Sequence, residues 1–216
     1  MWHRLMNILF PPKCVLCKKL LGPEETDFCH NCRIDAPVFT KSNKSIPFVA
    51  RWTAVWYYRG NVRQSLIRFK FSNRRSYATS YGKVLAMEIS EHFEDFDILT
   101  WVPTGLLRKI RRGYDQVYLL ACATSQELGS LAVPTLKKIR QAPPQSRISD
   151  SAKRRANVLG AYRVLDPAQV AGKRIILLDD IITTGSTVSE CARMFMTAGA
   201  KEVLCVAVAA SENKKK

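Results

Sequence analysis

Residues 174 to 188 read RIILLDDIITTGSTV. An unbroken apolar run enters two adjacent acids, then a hydroxyl-rich loop with one glycine. The text that follows, GSTVSECARMFMTAGA, has helical spacing and places Gly199 at a C-cap. A strand apolar at every position is buried on both faces, and a parallel sheet covered by helices provides that environment. The flanking text agrees. ARWTAVWYYRG (50 to 60), DILTWVP (97 to 103) and VLCVAVA (203 to 209) read as strands. NVRQSLIRFKF, TSYGKVLAMEISEHF (79 to 93) and YDQVYLLACATSQELG (114 to 129) read as helices. Alternation of this kind predicts an α/β fold with a parallel sheet and helices on both faces.

In such a sheet, ligands bind beyond the carboxyl ends of the strands. Asp179 and Asp180 are therefore expected at the strand tip, one to each side and clear of the deep core. The loop after them leads into a helix start, whose free N–H groups and dipole favour an anion. Gly185 lets the backbone approach closely, and Thr183, Thr184, Ser186 and Thr187 add hydroxyl donors. The reading is a phosphate cradle beside two carboxylates, suited to ribose hydroxyls or to Mg²⁺. The bland alternative is a strand-turn-helix whose acids cap the helix. No GxxxxGK[ST] loop occurs.

LLDDIITTGST resembles the phosphoribosyl pyrophosphate (PRPP) signature of type I phosphoribosyltransferases. The resemblance implies that Asp179 and Asp180 are the catalytic acids handling the ribose 2′- and 3′-hydroxyls. It gives the 5′-phosphate to residues 183 to 187, and Mg²⁺ accompanies PRPP. A pyrophosphate end needs dense positive charge, and the loop after Pro103 offers Arg108, Lys109, Arg111 and Arg112 before a helix starting near Tyr114.

A second basic stretch, 136 to 164, is broken by two prolines and reads as a lid or binding loop. Lys137, Lys138, Arg154 and Arg155 are its candidates for nucleic-acid phosphates, with a solvated arm as the alternative. The chain carries 34 Lys and Arg against 18 Asp and Glu, a net charge of +16 that points to an anionic partner.

Cys14-x2-Cys17 and Cys29-x2-Cys32 lie 11 residues apart, the spacing of two knuckles closing a four-cysteine zinc site. Four protein ligands leave no open position, so the zinc is structural, and His30 is a neighbour rather than a ligand. Cys122, Cys191 and Cys205 read as core thiols. The polar text from 36 to 47 divides a zinc-ribbon module with its linker (1–47) from an α/β domain (48–216). No stretch approaches the ~20 apolar residues of a membrane span, and a cytoplasmic protein is expected.

Taken in order, the four-cysteine module, RRGYDQ, PPQ, RRANVLGAY and LLDDIITTGST resemble the ComF family, linked to DNA uptake in competent bacteria. That family commonly shows RGFNQ, and Asp115 here adds a negative charge beside the pyrophosphate segment. The resemblance implies a phosphoribosyltransferase-like domain with a zinc ribbon, acting near single-stranded DNA and a DNA-translocating helicase. Two functions stay open. One is an enzyme that transfers phosphoribosyl from PRPP to an unidentified acceptor. The other is a non-catalytic module that binds single-stranded DNA or the helicase. Little chain follows residue 209, so an acceptor pocket would come from the zinc module, from Trp52, Trp56, Tyr57 and Tyr58, or from a partner.

Overall fold

A computed structural model of the protein describes residues 10–40, 44–140 and 158–212. A short helix α1 (His30–Asp35) closes the cysteine module. The chain then runs β1 (Arg51–Tyr57), α2 (Gly60–Phe71), α3 (Tyr77–His92), β2 (Ile98–Trp101), α4 (Leu106–Arg112), α5 (Gln116–Glu127) and β3 (Leu136–Lys138). It ends with β4 (Tyr162–Val164), α6 (Pro167–Val170), β5 (Arg174–Ile182), α7 (Ser186–Thr197) and β6 (Glu202–Ala210). Strands β1, β6, β5 and β2 form, in that order, an all-parallel sheet. β3 and β4 pair separately and antiparallel, a feature the basic text of this region did not signal.

Side chains alternate across a strand, so β5 feeds both faces. Ile176 and Leu178 pack with Leu66, Phe69, Tyr81, Leu85 and Leu120 from α2, α3 and α5. Ile175 and Leu177 pack with Val188, Cys191 and Phe195 of α7 and with Leu136 and Tyr162 of the β3–β4 pair. Helices α3 and α5 cross closely at Gly82, where a Cβ would stand 2.5 Å from the Ala123 Cβ.

The cysteine module is bonded to the first of these faces. Cys14, Val15, Leu16, Cys29 and Cys32 belong to the same buried cluster as Trp56, Phe69 and Tyr81. Arg68 of α2 donates to the Val15 and Leu16 carbonyls at 3.1 and 2.6 Å, and Ser65 donates to Val15 O at 2.6 Å. Asp27 accepts from Ser80 and Lys83 of α3. The polar text after the module runs along the outer edge of β1, where Val38 pairs with Trp56 and Phe39 N donates to Val55 O.

Candidate functional site

The parity that builds the two cores also separates the acids. Asp180 continues the Ile176–Leu178 side and Asp179 the Ile175–Leu177 side. Neither stands free at a strand tip. Pairing of β5 with β6 continues through Ile182↔Ala210, so the carboxyls sit inside the strand, 8% and 6% exposed, on the floor of a cleft. Asp180 accepts from Lys70 Nζ at 2.9 Å and from Gln116 Nε2 at 3.1 Å. Asp179 Oδ1 accepts the Asp180 N–H at 2.8 Å. Burial, reinforced by the neighbouring Asp180 charge, pushes the Asp179 pKa up to about 8.

The cleft holds about 370 Å³ and is lined by both acids, Thr183, Thr187, Arg108, Arg111 and Arg112. The candidate phosphate, ribose and pyrophosphate groups therefore share one opening. Gly185 is the N-cap of α7 with φ +75°, the left-handed backbone that favours glycine. The Thr184 and Ser186 hydroxyls lie 2.8 Å apart beside it. The arginines stand on α4, a helix where a loop was expected. Arg112 lies over the Phe71 ring at 5.0 Å, and its buried Nε has no protein partner. α5 starts at Gln116, two residues after the expected Tyr114, because Asp115 is its N-cap and accepts from Tyr118 N. Asp115 also accepts from Thr104 and pairs with Lys109 at 2.9 Å. Its charge is thus met within the protein, and Lys109 is engaged there rather than in the cleft lining.

Lys138 and Lys137, grouped by sequence as nucleic-acid contacts, separate. Lys137 is exposed on β3, whereas Lys138 lines the cleft and donates to the Tyr162 hydroxyl at 3.1 Å. Burial lowers the Lys138 pKa and raises that of Tyr162. Arg154 and Arg155 lie outside the described residues, as do Gln145, Arg147, Lys153 and Asn157. Of the aromatic candidates, Trp56 is buried in the core and Tyr58 lines the cleft. Sequence reading missed Lys70, Phe71 and Tyr162 altogether. Gln116 was visible within RGYDQ, but nothing local ties it to Asp180. Its Oε1 is buried without a protein donor, an acceptor available to a ligand hydroxyl.

The Cys14, Cys17, Cys29 and Cys32 sulfurs all lie within 4.8 Å of one another. Tetrahedral thiolates around zinc stand roughly 3.8 Å apart, and Cys17 and Cys29 are separated by 3.6 Å. Burial opposes ionisation of Cys14, yet backbone N–H donors bring its pKa down to about 7. The donor set and spacing fit a structural zinc. His30 is exposed, and no histidine belongs to the cluster among the described residues. Cys191 and Cys205 are fully buried, and burial raises both thiols, whereas Cys122 is only half-buried.

Comparison with known proteins finds two family matches. Residues 82–216 match the phosphoribosyl transferase domain and residues 5–43 the double zinc ribbon domain. The chain belongs to the phosphoribosyl transferase domain family. The kinship with ComF proteins holds along most of its length. It is 30% identical over 201 residues to the DNA utilization protein YhgH of Salmonella typhimurium, covering 88% of this chain and 86% of the relative. It is 24% identical over 205 residues to Competence protein F of Haemophilus influenzae, with the same coverage. Among solved structures, the allosteric regulatory enzyme of purine biosynthesis superposes with a TM-score of 0.45 at 21% identity, covering 66% of this chain and 30% of that one. Among the described residues, no helix is long and apolar enough to cross a membrane.

Proposed function

We propose that the cleft binds PRPP with Mg²⁺ and transfers its phosphoribosyl group to an unidentified acceptor with release of pyrophosphate, within the DNA utilization and competence that the relatives' names print. One observation carries this reading: the acids, Thr183 and Thr187 of the loop, and the α4 arginines open into a single cleft. The loop takes the 5′-phosphate, Asp179 and Asp180 take the ribose hydroxyls, and Gln116 Oε1 adds an acceptor beside them. Arg108, Arg111 and Arg112 hold the pyrophosphate and stabilise the charge that grows on it as its bond to the sugar breaks. The acid pair fits Mg²⁺ chemically, since two adjacent buried carboxyls raise the proton affinity of one of them until a cation arrives. Asp179 and Asp180 would hold such an ion, which would supply charge neutralisation for the diphosphate. Lys138 belongs to this ligand site rather than to a nucleic-acid surface.

The DNA side of the reading draws on the net charge of +16 and on the relatives' names. Thiolate zinc ligands at four of the seven cysteines suit a reducing cytoplasm. The test is calorimetric titration of PRPP with Mg²⁺ into the wild type and Asp179→Asn/Asp180→Asn. Binding that the double variant loses supports a PRPP site. Absence of wild-type binding at millimolar PRPP refutes it and turns attention to single-stranded DNA, whose binding should weaken with a log–log salt slope of about −0.7 per phosphate.

A further inference from the structure

The basic side chains in and beside the cleft fall into two sets. Lys70 and Lys109 are ion-paired, with Asp180 and Asp115, each at 2.9 Å. Arg108, Arg111, Arg112 and Lys138 all line the cleft, and among the described residues none of these four reaches a carboxylate at ion-pair distance. Cations that converge without acids between them repel one another, and a dense anion relieves that repulsion. Three of the four stand on α4. Lys138 comes from a different part of the chain.

Its position follows from strand geometry. Residues 132 to 135 run parallel to β2 along its outer edge. Ala132 bridges Leu99, Val133 N donates to Leu99 O at 2.9 Å, and the Thr100 and Thr135 hydroxyls lie 2.7 Å apart. A run that keeps pace with β2 leaves the sheet at the same carboxyl end, where β2 gives way to α4. β3 continues that run, and alternation turns Leu136 and Lys138 inward and Lys137 outward. Tyr162 stands directly opposite Lys138 in the β3–β4 pair. It fixes the ammonium twice, through its hydroxyl at 3.1 Å and its ring at 5.0 Å from the centroid. Neither the phenol nor the ring carries a charge. Burial, and next to it the Arg108 charge, lower the Lys138 pKa, so the two cations lie in each other's field.

We propose that Lys138 is a pyrophosphate-binding residue: from β3 it meets Arg108 of α4 beyond the carboxyl end of β2, and the two hold the diphosphate between them. The inference rests on the PRPP reading and adds to it a cation from outside α4. The cost of burying an unpaired ammonium is then offset only when the ligand is in place.

The probes are pyrophosphate with Mg²⁺ and ribose 5-phosphate, which lacks the diphosphate. Both are titrated by calorimetry into zinc-loaded wild type, Lys138→Met and Lys137→Gln, each checked for zinc content and thermal melting. Methionine keeps an unbranched chain on the Tyr162 ring and removes the charge, so Lys138→Met should melt no lower than the wild type without ligand. It is expected to weaken pyrophosphate binding on the order of 10- to 100-fold, the range of a charge-assisted bond. Its ribose 5-phosphate affinity should stay within about threefold of wild type. Lys137→Gln removes the same charge from the exposed side of β3 and should hold both affinities within about threefold. Unchanged pyrophosphate affinity in Lys138→Met overturns the assignment and leaves the PRPP reading intact. An equal loss in Lys137→Gln also overturns it, because the effect would then belong to overall charge. Equal weakening of both probes in Lys138→Met overturns it too, because Lys138 would then shape the fold rather than meet the diphosphate. A wild type that binds neither probe refutes the PRPP reading itself, and the Lys138 assignment falls with it.

Discussion

Replacing Asp179 by asparagine should make the protein more stable in alkali. Burial and then the Asp180 charge move the Asp179 pKa from 3.8 to about 8. An unfolded chain gives that carboxyl its ordinary value. From about pH 4 to pH 8 the folded protein holds a proton that the unfolded chain has released, so this group's contribution falls as pH rises through that window. Roughly four pH units at about 1.4 kcal/mol each set a ceiling near 6 kcal/mol. Relaxation and water in the cleft should reduce the realised effect to about 2–3 kcal/mol. Asparagine keeps the shape and the oxygen that accepts the Asp180 N–H at 2.8 Å, but it has no proton to lose. The assay is thermal unfolding of zinc-loaded protein without added magnesium at pH 5, 7 and 9. The gap between wild type and Asp179→Asn should open as pH rises above about 4 and reach roughly 5–10 °C by pH 9, with the variant higher. Parallel curves across this range, or a variant less stable at pH 9, would refute the reasoning.

Three other perturbations probe the frame around the site. Gly82→Ala drives a methyl into Ala123 and forces α3 from α5, so urea unfolding should show a loss of about 1–3 kcal/mol. Lys70→Met leaves the buried Asp180 carboxylate without its cation, with an expected loss of about 2–4 kcal/mol. Adding Asp180→Asn should recover most of that loss, and a double variant no better than the single would contradict the pairing. Zinc removal by chelation should release the Val15 and Leu16 carbonyls from Arg68, raising hydrogen exchange through α2; unchanged protection of residues 60 to 71 would argue against that coupling.

The local patterns that proved legible were those with a fixed period. Alternation along β5 is enough to send Ile175 and Ile176 to opposite cores, and it carries the two acids with them. The two CxxC pairs foretold a sulfur cluster because a knuckle is a local structure. Lys70 and Gln116 were not legible as partners of Asp180, since they reach it across sequence separations of 110 and 64 that no window spans. LLRKIRR was read as loop for a different reason. Its seven residues span barely two turns, too short a window for a period to show, and in the fold Leu106, Leu107 and Ile110 are all exposed. The burial of Asp179 and Asp180 was missed because strand length depends on β6 pairing beyond the acids, through Ile182↔Ala210, a register that the text of β5 alone does not give.

The placement of β1 also bears on how the chain is made. Its neighbour in the sheet is β6, with Arg51 opposite Leu204 and Tyr57 opposite Ala210. During synthesis, the early aromatic strand waits while about 150 further residues are made before its partner exists. Closure of so distant a pair carries a loop-entropy cost and comes late. In the interval the nascent chain has its ribbon cysteines and α2–α3 to condense first, covering one side of the Trp56 region. A ribosome stalled before codon 202 would therefore hold a polypeptide with most of its apolar residues and an unpaired strand, a natural client for chaperones.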